Sequence, residues 1–72
     1  MDRDLSIQVL DVAWRVSGEL DRSVALVKDS GADEETLKKY RRSVGHVMAE
    51  LHDQIMRPIF KEHPDLEPDE LR

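Results

Sequence analysis

The 72-residue chain contains no cysteine, so it has neither a disulfide framework nor a thiolate metal site to stabilise it. Chains of this size rarely bury enough apolar surface to be stable alone. Without a disulfide or a metal site they usually need a partner subunit. No apolar run approaches the roughly 20 residues that a membrane-spanning helix needs. The first residues also lack the basic start and apolar core of a signal peptide. We therefore expect a cytoplasmic protein.

A formal charge of −5 argues against a general nucleic-acid or anionic-membrane binder, because contacts with phosphate dominate such affinities. The charge is unevenly distributed along the chain. Residues 1–21 contain two basic and five acidic side chains, residues 22–42 contain six and four, and residues 43–72 contain three and seven. The middle of the chain is therefore locally basic within an acidic molecule.

Apolar residues recur at steps of three and four in two stretches, which predicts two amphipathic helices. The first is expected over about residues 4–29, with Asp2 or Asp4 as its N-cap and Gly31 in the left-handed conformation that ends a helix. Its main apolar stripe covers an arc of about 120°, the width of a core-facing surface. The stripe consists of Leu5, Val9, Val12, Ala13, Val16, Leu20, Val24 and Val27.

The second helix is expected over about residues 34–57, with Asp33 as its N-cap. Pro58 has no backbone donor, so it either ends this helix or kinks it and lets it continue to about residue 62. The connection at 29–33 is short enough to make the two helices antiparallel neighbours. The predicted core stripe of this helix consists of Leu37, Tyr40, Val44, Val47, Met48, Leu51, Ile55 and Ile59.

Each predicted helix has a second apolar flank, which a single hairpin cannot bury. A helix with two apolar faces usually contacts two neighbours, so we expect two chains to form a four-helix bundle around a two-fold axis. The fold class is therefore all-α, with residues 1–72 as one hairpin domain that forms a homodimer. The flanks consist of Ile7, Leu10 and Trp14 on helix 1 and Gly45, Ala49, His52 and Met56 on helix 2.

Three prolines at 58–68 predict that residues 58–72 form a stiff, extended or turned tail. In an antiparallel hairpin this tail starts beside the N-terminus of helix 1, where we expect it to fold over the first flank. If the flank stays uncovered, it is an apolar patch for a protein partner. The candidate anchors of that interface are Ile7, Leu10, Trp14 and Phe60.

One face of helix 2 carries potential metal ligands. His46, Glu50 and Asp53 lie at i, i+4 and i+7, and imidazole and carboxylate groups at such spacing can share a divalent ion. The Glu-x-x-His spacing of di-iron bundles is absent, and Lys39 and Arg57 on the same face are suited to ion pairs instead. We therefore expect no cofactor, and metal binding is the second alternative function.

A basic run, Lys38, Lys39, Arg41 and Arg42, surrounds Tyr40. RNA-binding surfaces combine such residues because rings stack on bases while cations neutralise phosphates. Here Tyr40 belongs to the predicted core stripe and the four cations are spread around the helix, which favours an ordinary solvated surface. A regulator that binds RNA or DNA is the first alternative function, although nucleic acid is not the expected partner.

The last third of the chain resembles the ending of a group of short bacterial helical proteins with no known activity. The shared features are a helix over 40–51, a proline-x-aromatic step at 58–60 and a His-Pro-acidic-Leu-x-Pro tail at 63–68. The resemblance implies a bacterial protein in which Gly45, Pro58 and the prolines of the tail are architectural. It implies no site residue.

Catalytic signatures are missing from the sequence. It has no glycine-rich phosphate loop, and no serine, histidine and acid are placed to cooperate, so we expect no enzyme. The favoured hypothesis is a small non-catalytic interaction protein, which is an adaptor, accessory subunit or regulator acting through protein contacts.

Overall fold

The computed structural model describes the backbone of residues 1–71 and the side chains of residues 1–70. This part of the chain is helical throughout, with short turns and no strand. It forms a hairpin with dimensions of 45 × 19 × 17 Å. The elements are α1 (Arg3–Asp29), α2 (Glu34–Leu51), a π turn (His52–Met56), α3 (Arg57–Glu62) and two 3-10 turns (Pro64–Leu66 and Asp69–Leu71).

Capping residues explain where the two long helices begin and end. The carboxylate of Asp2 accepts a hydrogen bond from the N–H of Leu5 at 2.8 Å, and Asp33 accepts one from Thr36 at 2.7 Å. The hydrogen bond from Thr36 also holds the pKa of the Asp33 carboxyl below its usual range. Gly31 has a φ of 81°, which is the left-handed conformation that ends α1. The predicted helical hairpin is confirmed, with its turn where the sequence indicated.

A hydrogen-bonded pair joins α1 to α2 near the turn. The hydroxyl of Tyr40 donates to Ser23 Oγ at 2.7 Å, and Ser23 Oγ donates in turn to the carbonyl of Leu20 at 2.6 Å. Tyr40 is half-buried and faces α1, as its place in the predicted core stripe required.

The π turn changes which residues of the second stretch face α1. It adds one residue to the helical path, as shown by the hydrogen bond from Arg57 N–H to the His52 carbonyl five residues earlier. Each later residue is therefore rotated by about 100° relative to a continuous α-helix. Ile55, which we predicted in the core, is 44 % exposed, whereas Met56 is 2 % exposed.

The chain stays helical through Pro58, so the prediction that the tail begins at residue 58 is wrong. The alternative of a kinked helix continuing to about residue 62 is the correct one. Pro58 lies directly after the π turn, in the first turn of α3, where a missing N–H is tolerated. The tail begins at His63.

The core lies at the open end of the hairpin, between α1 and α3. Its buried apolar residues come from both ends of the chain, and Leu66 of the tail packs against them together with Val9 and Leu51. The tail therefore packs against the cluster that contains Leu10 of the first flank, whereas Ile7 and Trp14 of that flank stay exposed. The cluster consists of Leu10, Ala13, Met56, Ile59 and Phe60.

Ser6 is fully buried, and its hydroxyl has no hydrogen-bond partner within the described residues. An unsatisfied buried hydroxyl costs about 1–3 kcal/mol, so Ser6→Ala is expected to raise the free energy of unfolding by about 1 kcal/mol. The matched variant is Ser23→Ala, which removes the hydrogen-bond partner of Tyr40. This variant is expected to lower the free energy of unfolding by a similar amount. Urea denaturation of both variants measures the difference, and a destabilised Ser6→Ala would contradict this account.

Candidate functional site

One side of the hairpin carries an open apolar groove. Its walls are formed by α1 on one side and by the end of α2 with the π turn on the other. Gln8 is its one polar residue, and Val12 in its wall is 57 % exposed. The groove is lined by Gln8, Val9, Val12, Ala13, Val16, Leu51 and Ile55.

The groove continues towards the turn along α1. A second, shallower hollow is lined by Val12 and Val16 together with Leu20, and is flanked by the charged residues Arg15 and Glu19. Leu5 falls on the same face of α1 as Val12 and Val16, at about 100° per residue, and is also exposed. An apolar strip therefore runs along much of α1 with charged groups at its edge.

This groove exists because the apolar stripe of α1 is offset from the face that contacts the rest of the hairpin. The inner face of α1 includes Ser6, Ala13 and Ser17, whose small side chains allow close approach of the neighbouring helix. Ala13 of the predicted stripe is buried and Val9, Leu20, Val24 and Val27 are half-buried, whereas Leu5, Val12 and Val16 are exposed. The prediction that the whole stripe is core is therefore wrong, because its exposed edge at Val12 and Val16 lines the groove.

The four predicted anchors of a partner interface do not lie on one surface. Leu10 of α1 and Phe60 of α3 are buried in the core cluster, at 5 % and 4 % exposed, because α3 packs against α1 there and Leu66 packs on the cluster. Ile7 and Trp14 stay exposed, at 45 % and 43 %. Trp14 lies about 200° around α1 from Val12, so these two residues face away from the groove.

The metal-ligand set predicted on helix 2 does not assemble. Within the part of the chain that is described, no group of three or more His, Cys, Asp or Glu residues could hold a metal ion. The i, i+4, i+7 alignment of His46, Glu50 and Asp53 requires an unbroken α-helix, and the π turn begins at His52. Asp53 pairs instead with Arg57 at 3.0 Å.

The basic run is exposed on the surface near the turn. Lys39 lies 3.9 Å from Glu35, whereas Lys38, Arg41 and Arg42 have no ion-pair partner among the described residues. Tyr40 points into the hairpin and offers no ring for base stacking. The run therefore forms a local patch of charge without the aromatic platform of an RNA-binding surface.

Polar contacts fasten the end of α3 and the tail to the first residues of the chain. Arg3 pairs with Asp65 at 2.6 Å, the amino group of Met1 pairs with Glu62 at 3.0 Å, and His63 Nε2 lies 3.1 Å from the Met1 carbonyl. The guanidinium and the ammonium hold the pKa values of Asp65 and Glu62 below their ordinary range. The sequence pattern of the tail gave no indication of these pairs.

Acid is expected to weaken the docking of this tail. Because the pKa values of Asp65 and Glu62 are depressed in the folded state, their contribution is complete above the ordinary carboxyl range, near pH 4, and is lost as the pH falls through the folded values. Asp65→Asn should weaken tail docking at neutral pH, and Glu67→Gln, which removes a charge outside these pairs, should not. The methyl signals of Leu66 report docking. Signals that change neither at low pH nor in the Asp65→Asn variant would contradict the prediction.

No family model matches the chain, and neither a curated protein nor a solved structure shows significant similarity to it. The resemblance to short bacterial helical proteins therefore stays a prediction. No helix among the described residues is both long and apolar enough to cross a membrane. The candidate site rests on the geometry of the hairpin.

Proposed function

We propose that this chain is a small non-catalytic interaction protein that acts as a homodimer, with two hairpins packed groove to groove in a four-helix bundle. The observation that carries the proposal is the apolar groove, whose valine, leucine and isoleucine walls are open along the side of the hairpin. A groove between two helices is the shape that an amphipathic helix fills in many protein interfaces. The cytoplasmic location stays a prediction from the sequence.

The small size of the hairpin core is evidence that a second subunit is needed for stability. Only six apolar side chains are buried among the described residues, which is little for a chain with no disulfide. Pairing through the groove would add Val12, Val16 and Ile55 to the buried surface.

The exposed area supports the same proposal. The chain exposes 5407 Å², whereas a compact monomer of 8.3 kDa exposes about 4,600 Å². The excess of about 800 Å² equals the area that each partner buries in a protein interface of ordinary size. Part of the excess area comes from the elongated shape of a hairpin. Side-by-side pairing of two hairpins reduces the area that each chain exposes.

In the dimer, each chain would still present Ile7 and Trp14, because they face away from the groove. These residues are the anchors proposed for a further protein partner, as adaptors and accessory subunits require, and tryptophan is enriched at such sites.

Light scattering over a dilution series tests the proposal. A dimer at high concentration that dissociates with loss of thermal stability on dilution is the expected result, because the monomer would expose the groove. A chain that stays monomeric at millimolar concentration, with its groove open, would overturn it.

A further inference from the structure

The two ends of the hairpin differ in charge. The turn end, formed by residues 22–42, contains six basic and four acidic side chains. At the open end, residues 1–21 contain two basic and five acidic side chains, and residues 43–70 contain two and seven. The described chain is therefore positive at the turn and strongly negative at the open end, along a molecule 45 Å long.

Two hairpins can pack groove to groove in two ways. With the two-fold axis along the helices, both turns lie at one end and both acidic open ends lie together at the other. With the axis perpendicular to the helices, each turn lies beside the open end of the partner. Both arrangements bury the same groove, so apolar burial does not distinguish them.

Electrostatics distinguishes the two arrangements. The parallel arrangement brings two acidic ends together and two basic ends together, and like charges side by side oppose association. The antiparallel arrangement places the unpaired cations Lys38, Arg41 and Arg42 near the acidic end of the partner. Partners whose charges are complementary also associate faster.

We infer that the partner in the groove is a second copy of this chain packed antiparallel, with the basic turn of each subunit beside the acidic open end of the other. This inference rests on the proposed dimer and specifies its geometry. It puts the two basic runs at opposite ends of the molecule, partly neutralised by the partner. The dimer then has no doubled basic surface for RNA or DNA.

Distance measurement between spin labels tests the orientation, and the absence of cysteine allows one label at a chosen site. Ser30→Cys places the label at the turn. Lys61→Cys places it on α3 at the open end, which stays acidic because the substitution removes a positive charge. The antiparallel dimer predicts a Ser30-to-Ser30 distance at least as long as the 45 Å hairpin. A mixed dimer with one label at each site should give a much shorter distance, because the turn of one subunit lies beside the open end of the other.

A short distance between the two Ser30 labels, in samples that light scattering shows to be dimeric, would overturn the antiparallel orientation and leave the proposed dimer intact. A monomer in the same samples would overturn the dimer and the orientation together. The unlabelled chain, measured at the same concentration, controls for an effect of the labels on association.

Discussion

Replacing Val12 with glutamate is expected to keep the chain helical and to raise the dissociation constant of the proposed dimer by about 100-fold, or about 2.7 kcal/mol. Val12 is 57 % exposed in the single hairpin, so a carboxylate there costs the monomer little. In the dimer the same carboxylate would be buried in an apolar interface without a partner, which is strongly unfavourable. Sedimentation equilibrium measures the constant, and circular dichroism measures the helix content.

Ala25→Glu is the matched control for Val12→Glu. It adds the same charge to the same helix at an exposed position about 220° around α1 from Val12, away from the groove. Equal weakening by both substitutions would mean that net charge, rather than the groove, governs association. A Val12→Glu chain that dimerises like the unmodified one would exclude the groove as the interface.

Replacing Met56 with alanine is expected to lower the free energy of unfolding of the monomer by about 2–5 kcal/mol, the usual cost of truncating a buried methionine. Ile55→Ala next to it should change the stability of the monomer by less than about 1 kcal/mol, because Ile55 is half-exposed in the groove wall. The two substitutions thus test the rotation introduced by the π turn. Urea denaturation at a concentration where the chain is monomeric measures both.

The same pair should behave differently in the dimer. Ile55→Ala removes part of the groove wall, so it should raise the dissociation constant although it leaves the monomer stable. If Ile55→Ala proves the more damaging change in the monomer, residues 52–56 form a continuous α-helix in solution and Ile55 belongs to the core.

The hairpin itself could be predicted because its signals are local. Asp2, Asp33 and Gly31 act within one turn of the helix that they begin or end, so their roles follow from the sequence alone. The period of the apolar residues likewise identifies two helices without reference to anything distant in the chain. For the same reason, the two helices are found within one or two residues of their predicted N-terminal ends.

The groove could not be predicted because it depends on how the helices are rotated against each other. The apolar stripe of α1 covers an arc of about 120°, which is wider than the contact with one neighbouring helix. The spacing of its residues does not show which edge of the stripe the neighbouring helix covers. The small residues Ser6, Ala13 and Ser17 decide this by letting the neighbouring helix approach one edge. Their positions in the sequence alone do not fix the rotation, because it also depends on which residues of α2 and α3 face them.

The rotation of the helical path after residue 51 was indicated less clearly by the sequence. Pro58 indicated a disturbance of the helix, but a kink, an end and a π turn are all compatible with one proline. What distinguishes them is the packing of Met56, Ile59 and Phe60 against α1, and that packing involves residues nearly fifty positions away along the chain. The burial of Leu10 and Phe60, two of the predicted anchors, is a consequence of the same contact.

Methyl-resolved NMR over a dilution series tests the central claim most directly, namely that the groove is the surface of self-association. We predict that the methyl signals of Val12, Val16 and Ile55 shift together with a single dissociation constant, while those of Ile7 stay fixed. Shifts confined to Ile7 and its neighbours, or a dimer whose groove signals never move, would contradict the account.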